Sequence, residues 1–268
     1  MTALIGPIAR ADSALAQVHP LAKLGAATAV MLALLPTVDP VTPAILLAVT
    51  LGLLPTTGIR FGALLRRTWP ILLGAASVAL ANALYGDGGG SVVIDVGPLE
   101  LTAGDVSSGA TLGLRLIAIA LPGVLAFATT DPTDLADALV QQLRLPARFA
   151  VGALAALRLV PLLGADWDAI RRARRSRGMA AGRNPARATG IFASQVFTLL
   201  VAAIRRASRL ATAMDARGFD SGIARTNARG SVLRQRDWLY VAAALAVCAA
   251  ATSVSVAVGA WSPIFIGG

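Results

Sequence analysis

Long apolar segments, separated by short charged links, constrain this sequence more than any other feature. Of its 268 residues, 56% are hydrophobic and only 14% are charged, against about 25% charged residues in soluble proteins. A soluble domain of this size could not bury so many apolar side chains, and its surface would carry large apolar patches. The lipid bilayer is therefore the expected solvent for much of the chain. The single cysteine, Cys248, excludes a disulfide framework and a cysteine-based zinc site.

Five apolar segments are predicted to cross the membrane, which makes the expected fold an all-α polytopic membrane protein. They are residues 21–35, 41–54, 69–85, 108–128 and 238–260. The first two are shorter than the roughly 20 residues of a full span. Two other apolar runs, 149–163 and 191–204, are followed or flanked by many arginines. We predict that these two form long helices lying along or under the membrane.

The distribution of charge predicts the orientation of the spans. Residues 131–236 contain 18 arginines and 7 aspartates, a net charge of +11, whereas the loop 86–105 holds four acidic residues and no basic one. With five spans, the two most basic links lie on the side of the N-terminus. The positive-inside rule then places the N-terminus and residues 131–236 in the cytoplasm and the C-terminus outside. The predicted domains are 1–130 with four spans, 131–236 in the cytoplasm, and 237–268 with the last span.

Two short triplets in the basic block repeat a pattern, Ser176-Arg177-Gly178 and Ala216-Arg217-Gly218. Glycine directly after a helix adopts the left-handed conformation that ends the helix. The arginine before it is then held at the helix tip, where a guanidinium can bind a partner's carboxylate. The alternative is a favourable helix end beside anionic lipid. A stripe at helical spacing leads to Arg217 of the second triplet, and its role is either to guide that arginine to a target or to pack in the core. Its residues are Phe192, Val196, Leu199, Ala203, Ala207, Leu210 and Met214.

Together with further motifs, these triplets resemble the transmembrane T component of energy-coupling factor (ECF) transporters, ATP-driven importers of vitamins and metal ions. The further motifs are Pro20-Leu21-Ala22-Lys23 before the first span, residues 64–70 before the third, and residues 129–135 with Leu145-Pro146. The resemblance covers nearly the whole chain. Leu21 stands where the family usually has Arg, and Ser176 where it often has Ala.

The resemblance implies a non-catalytic subunit with long, crossing coupling helices and several partners. Arg177 and Arg217 would dock onto two ABC-type ATPase subunits, which bind ATP and Mg²⁺, so no cofactor is expected in this chain. The helices would pass motion to a substrate-binding membrane S subunit. Within the apolar stripe, Phe192, Val196, Leu199, Ala203, Leu210 and Met214 would be the candidate S-subunit contacts. The family implies no nucleic-acid partner and the cell membrane of a prokaryote as the location.

Two other function classes remain open from the residues alone. A membrane enzyme of lipid head-group transfer would need clustered carboxylates for a divalent ion, and the few cytoplasmic aspartates are not spaced for one. A self-sufficient permease would show broken helices in internal repeats, which we do not see. The sequence also lacks the Gly-rich phosphate loop ending in Gly-Lys-Ser/Thr, so ATP hydrolysis by this chain is not expected.

Arg115 and the segment Asp166-Trp167-Asp168 are two further features of the sequence. Arg115 lies within the fourth predicted span, where a charge is costly and needs a partner. A structural ion pair or a lipid headgroup contact is favoured over a role in substrate binding. Asp166, Trp167 and Asp168 are predicted to brace the coupling helix.

Overall fold

The computed structural model describes residues 13, 15–59, 61–86, 91–96, 99–179, 184–219 and 229–262. Arg60, Arg183 and residues 87–90 of the acidic loop lie outside these ranges. Within them the chain forms nine α-helices and one β-hairpin. The elements are α1 (Pro20–Leu34), α2 (Val41–Gly52), α3 (Leu54–Thr57), α4 (Phe61–Tyr85), β1 (Val92–Val96), β2 (Leu99–Thr102), α5 (Ala103–Ala128), α6 (Pro132–Gln141), α7 (Ala147–Ser176), α8 (Pro185–Ala216) and α9 (Gln235–Ala257).

The all-α, multi-pass architecture expected from the sequence is confirmed. Five helices in the described part of the chain are long and apolar enough to cross a membrane, namely α4, α5, α7, α8 and α9. Three of them, α4, α5 and α9, coincide with predicted spans. The predicted first two spans form the shorter apolar helices α1 and α2, of 15 and 12 residues. Prediction and structure therefore both give five candidate spans, but not the same five. Helices α7 and α8 are long and apolar enough to cross a membrane, whereas α1 and α2 are apolar but shorter.

The chain divides into two compact units. The larger unit joins residues 6–135 with residues 232–268, and the smaller unit contains residues 136–231. We call them the bundle unit and the α7/α8 unit. In the bundle unit, α1 packs on α5 and α9, α2 packs on the same two helices, and α4 packs on α5. The acidic loop of this unit carries the short antiparallel hairpin of β1 and β2.

Helix α5 approaches α4 closely because small residues meet at their contact. A Cβ added at Gly109 would overlap the carbonyl oxygen of Ala79, and one added at Gly113 would lie 3.1 Å from the Cβ of Ala79 and 3.2 Å from the carbonyl oxygen of Ala75. Any larger side chain at Gly109 must therefore push the two helices apart. Small residues at this spacing allow the close backbone approach typical of membrane helices.

The turn between α1 and α2 is fixed to the end of α9 by a buried carboxylate. Asp39 Oδ2 accepts hydrogen bonds from the Thr42 amide at 2.8 Å and from the hydroxyls of Thr42 and Ser255 at 2.5 Å each. Burial alone would raise the pKa of Asp39, but these hydrogen bonds outweigh it and hold the pKa below its ordinary value. The ionised carboxylate is thus the form that the fold stabilises.

Arg115 binds backbone carbonyl oxygens, and among the described residues it does not form the predicted ion pair. Its Nη2 donates to the carbonyl oxygens of Leu34 at 2.6 Å and Leu35 at 2.8 Å. These carbonyls lie at the C-terminal end of α1, where the last backbone acceptors of a helix lack intrahelical donors. A guanidinium there also interacts favourably with the negative end of the helix dipole. Arg115 therefore has a structural role between α5 and α1.

Candidate functional site

The first Arg-Gly triplet forms the end of α7. Arg177 is the C-cap residue of α7, and Gly178 follows it with a φ of 72°. The amide of Gly178 donates to the Arg175 carbonyl and that of Met179 donates to the Arg174 carbonyl, each at 3.0 Å. This pair of bonds defines a Schellman motif, which requires a left-handed residue where glycine stands.

The second triplet ends α8 with the same geometry. Arg217 occupies the equivalent cap position and Gly218 has φ of 71°. The Gly218 amide donates to the Asp215 carbonyl at 2.9 Å, and the Phe219 amide donates to the Met214 carbonyl at 3.1 Å. The sequence repeat therefore encodes a repeated three-dimensional motif, one copy at the end of each long helix.

Both cap arginines are exposed to solvent. In the described part of the chain, neither the Arg177 nor the Arg217 guanidinium forms a hydrogen bond or an ion pair. A guanidinium presents five N–H donors in a planar fork that matches a carboxylate. Each helix thus ends in an accessible cation whose backbone is fixed and whose side chain is available to a partner.

Arg174, one turn before the first cap, fastens α7 to α8. Its guanidinium donates to the Ile191 carbonyl at 3.3 Å, to the Ser194 hydroxyl at 3.0 Å and to the Thr198 hydroxyl at 3.1 Å. The five arginines between 171 and 177 look alike in the sequence, but Arg174 is bonded to α8 whereas Arg177 is exposed. Sequence reasoning did not distinguish Arg174, because its partners lie 17 to 24 residues further along the chain.

The predicted bracing residues also contact α8. Asp166 forms an ion pair with Arg206 at 3.0 Å, and the ring of Trp167 packs edge-to-face on Phe192 with centroids 5.6 Å apart. The third predicted bracing residue, Asp168, is exposed. The α7–α8 contact is thus made by an ion pair, an aromatic pair and the Arg174 hydrogen bonds.

The apolar stripe on α8 divides into residues of different exposure. Leu199, Ala203 and Met214 are half-buried, whereas Phe192, Val196 and Leu210 are exposed, Phe192 despite its contact with Trp167. A neighbouring face carries apolar residues that the sequence analysis did not single out. These are Phe197, Leu200, Val201 and Ile204, of which Phe197 is 67% exposed. These residues recur every three or four positions, as residues on one face of a helix do. The pattern was difficult to recognise in the sequence because α8 is apolar on more than one face.

Carboxylate chemistry is sparse in the described residues. No group of three or more His, Cys, Asp or Glu side chains there is placed to hold a metal ion. Cys248 is buried among the bundle helices with Val30, Leu46 and Ala251, so it contributes to packing. The arrangement can present two fixed cations and an apolar surface, which suits binding to other proteins.

These features define a multi-pass helical membrane protein with two long helices that end in exposed arginines. The profile of the cobalt transport protein family, CbiQ, matches residues 11–227, and the chain belongs to this family. It is 28% identical over 235 residues to the ECF transporter transmembrane protein EcfT of Listeria innocua, covering 84% of this chain and 88% of the relative. It is 31% identical over 199 residues to EcfT of Lacticaseibacillus paracasei, covering 71% and 75%.

A third relative has a different name and length. The chain is 25% identical over 248 residues to a putative ABC transporter ATP-binding protein of Bifidobacterium longum, covering 90% of this chain but 32% of that protein. With the family match, these similarities identify the chain as the transmembrane T subunit of an ECF transporter. They give no support to a lipid head-group enzyme or a self-sufficient permease.

Proposed function

We propose that this chain converts ATP-driven movement of two ABC-type ATPase subunits into substrate uptake through a membrane S subunit. The observation that carries the proposal is the pair of matching Schellman ends, which present Arg177 and Arg217 as exposed cations on fixed backbone. One guanidinium per ATPase subunit would bind carboxylates in a groove of that subunit. ATP and Mg²⁺ would be bound by those partners, with no cofactor in this chain.

The ATPase partnership is further supported by the Bifidobacterium relative. That protein is named as ATP-binding and contains a region similar to this chain in about a third of its length. In that protein, one polypeptide contains both a region similar to this chain and the part for which it is named as ATP-binding. Here the corresponding parts would be separate subunits that bind each other. The α7/α8 unit, with its charged ends, is the natural contact for the ATPase subunits.

The apolar faces of α8 are the proposed contact for the S subunit. Phe192, Val196 and Leu210 of the predicted stripe remain exposed, and Phe197 and Ile204 add a second exposed face. Exposed apolar side chains of this extent indicate contact with a protein or with lipid. The S subunit would select the vitamin or metal ion, so this chain would not determine which substrate is transported.

The proposed orientation has the N-terminus and the α7/α8 unit in the cytoplasm. It requires that α7 does not cross the membrane, although it is long enough. The last two turns of α7 carry four arginines between 171 and 175, and crossing would place them outside against the positive-inside rule. The C-terminus would then lie outside, after α9.

Replacing both cap arginines tests the coupling role. In the complex reconstituted in vesicles, Arg177→Ala with Arg217→Ala should reduce ATP-dependent uptake by about tenfold or more, because charge-assisted bonds typically contribute about 1.5–3 kcal/mol each. The matched control is Arg205→Ala with Arg209→Ala, which removes two exposed arginines from the C-terminal half of α8. Retained assembly and normal uptake in the Arg177/Arg217 variant would refute the proposal.

Labelling of single cysteines tests the orientation. In a Cys248→Ser background, Ser107→Cys at the start of α5 should react with a membrane-impermeant maleimide on intact cells. Ser176→Cys at the end of α7 should react only after permeabilisation. Both serines are exposed. Reaction of Ser176→Cys on intact cells would show that α7 crosses the membrane.

A further inference from the structure

The bundle unit contains a cavity of about 470 Å³. It lies between α1, α2, α5 and α9, towards the ends where α1 and α9 begin and where α2 and α5 end. Its walls are mostly apolar and include Ala26, Val30, Leu46, Leu125 and Ala244. This volume is in the range of protein cavities that hold small molecules. Mostly apolar walls of this kind favour apolar guests.

The buried residue Lys23 lines one wall of the cavity. The residue is only 3% exposed, and its Nζ donates to the carbonyl oxygen of Thr129 at 2.9 Å and to that of Ala16 at 3.4 Å. No carboxylate oxygen of the described residues lies within 4 Å of it, so Asp134 and Asp237 attract it only from farther away. A buried charge is costly without a close counter-charge. The site therefore suits an anionic group.

Both carboxylate oxygens of Asp237 accept hydrogen bonds from backbone amides. Its Oδ1 accepts from the His19 amide and its Oδ2 accepts from the Arg234 amide, both at 2.8 Å. These bonds hold the residue before α1 against the start of α9. The carboxylate is thus fixed as a cap and does not form a close ion pair with Lys23.

A second cation lies at the same end of the bundle. Arg236 is exposed and its Nη2 donates to the Gln17 carbonyl at 2.7 Å. Gln17 is the neighbour of Ala16, the residue that Lys23 contacts. One short chain segment is therefore approached by two positive groups, one beside the cavity and one at the surface.

We propose that the cavity holds one acyl chain of an anionic phospholipid, with the lipid phosphate near Lys23 and Arg236. The apolar walls match the hydrocarbon, and the two cations match the phosphate and the anionic headgroup. Basic pockets between membrane helices bind anionic headgroups in the same way. A neutral lipid would fill the cavity but would add no net negative charge beside Lys23. This inference is independent of the coupling function proposed above.

The test measures which lipid stays bound to the intact complex. The full chain with its partner subunits is placed in nanodiscs of equal phosphatidylglycerol and phosphatidylcholine, transferred to detergent and analysed by native mass spectrometry. We expect one retained phosphatidylglycerol per chain. Ala244→Phe, which fills the cavity, should lower lipid retention by about fivefold or more. The matched control Ala242→Phe, on an exposed face of the same helix outside the cavity lining, should retain the lipid.

Charge variants test the headgroup. Lys23→Met should lower the ratio of retained phosphatidylglycerol to phosphatidylcholine by about threefold or more. Arg236→Gln, at an exposed position, should change the ratio in the same direction and serves if Lys23→Met does not fold. Equal retention of the two lipids by the unmodified chain would overturn the proposal, as would equal losses in Ala244→Phe and Ala242→Phe. A photo-crosslinker at position 244 should capture lipid, and capture of a partner polypeptide would also overturn it.

Discussion

The bundle unit and the α7/α8 unit are both helical, but they are held together by different means. In the bundle unit, α5 alone contains eight buried residues, and the helices are joined by close glycine contacts and buried polar bonds. In the α7/α8 unit, the two helices of 30 and 32 residues contain one buried residue each, Ala150 and Gln195. In the described residues, their contacts are one partly exposed ion pair, the Arg174 hydrogen bonds and one aromatic pair.

This difference indicates a division of labour. Closely packed helix contacts, such as the one between α4 and α5, resist deformation because their atoms have little room to rearrange. A pair of helices with few buried contacts opens at low free-energy cost, and such regions provide the moving parts of proteins. The unit that would receive force from the ATPase subunits is therefore the one whose own packing constrains it least. The three predictions below test this comparison.

The largest expected effect is at the α4–α5 contact. Gly109→Val places methyl groups against the Ala79 carbonyl, so we expect a loss of about 3 kcal/mol or more in the free energy of unfolding, at the upper end for overpacked cores. The measurement is the thermal midpoint of the purified protein in detergent. Gly123→Val is the control on the same helix, since nothing lies within 4 Å of a Cβ there. Similar midpoints for the two variants would show that the bundle unit is not closely packed at Gly109.

An intermediate effect is expected at Asp39. Asp39→Asn puts an amide among three donors and should cost about 1–3 kcal/mol at neutral pH. Because the pKa of Asp39 is lowered on folding, its contribution is full above the ordinary carboxyl pKa of about 3.9 and is lost as the pH falls through the lower folded value. Thermal midpoints between pH 7 and 3 should therefore fall less steeply at the acid end in Asp39→Asn. Asp168→Asn, at an exposed position, should keep the steep acid dependence of the unmodified chain.

The smallest effect is expected in the α7/α8 unit. A double-mutant cycle with Asp166→Asn and Arg206→Gln should give a coupling energy of about 0.2–1 kcal/mol, because both side chains are more than 30% exposed and water screens the pair. Stability of each variant in detergent supplies the four values of the cycle. A coupling energy above about 2 kcal/mol would mean that this unit is held as firmly as the bundle, which would remove the contrast.

Local patterns accounted for most of the predictions that the structure confirms. The glycine ends of α7 and α8 follow from two short triplets, since a Schellman motif involves residues within one turn. Helices α4, α5 and α9 follow from apolar runs of sufficient length. The candidate contacts with ATPase and S subunits remain predictions of the family resemblance.

Long-range partners were the part that the sequence did not reveal. The sequence did not reveal that Arg115 bonds carbonyls about 80 residues away. Asp39 lies in the turn between α1 and α2, and its partner Ser255 lies 216 positions further on. Among many similar arginines, only the fold assigned Arg174 to α8 and left Arg177 exposed.

By itself, the sequence determined the solvent, the helices and where the two long helices end, because hydropathy and glycine conformation act over a few residues. The tertiary structure decided which glycines touch a neighbouring helix, which buried charges are paired and where a cavity opens. Those properties depend on side chains that are distant in the chain and meet only after the helices have packed.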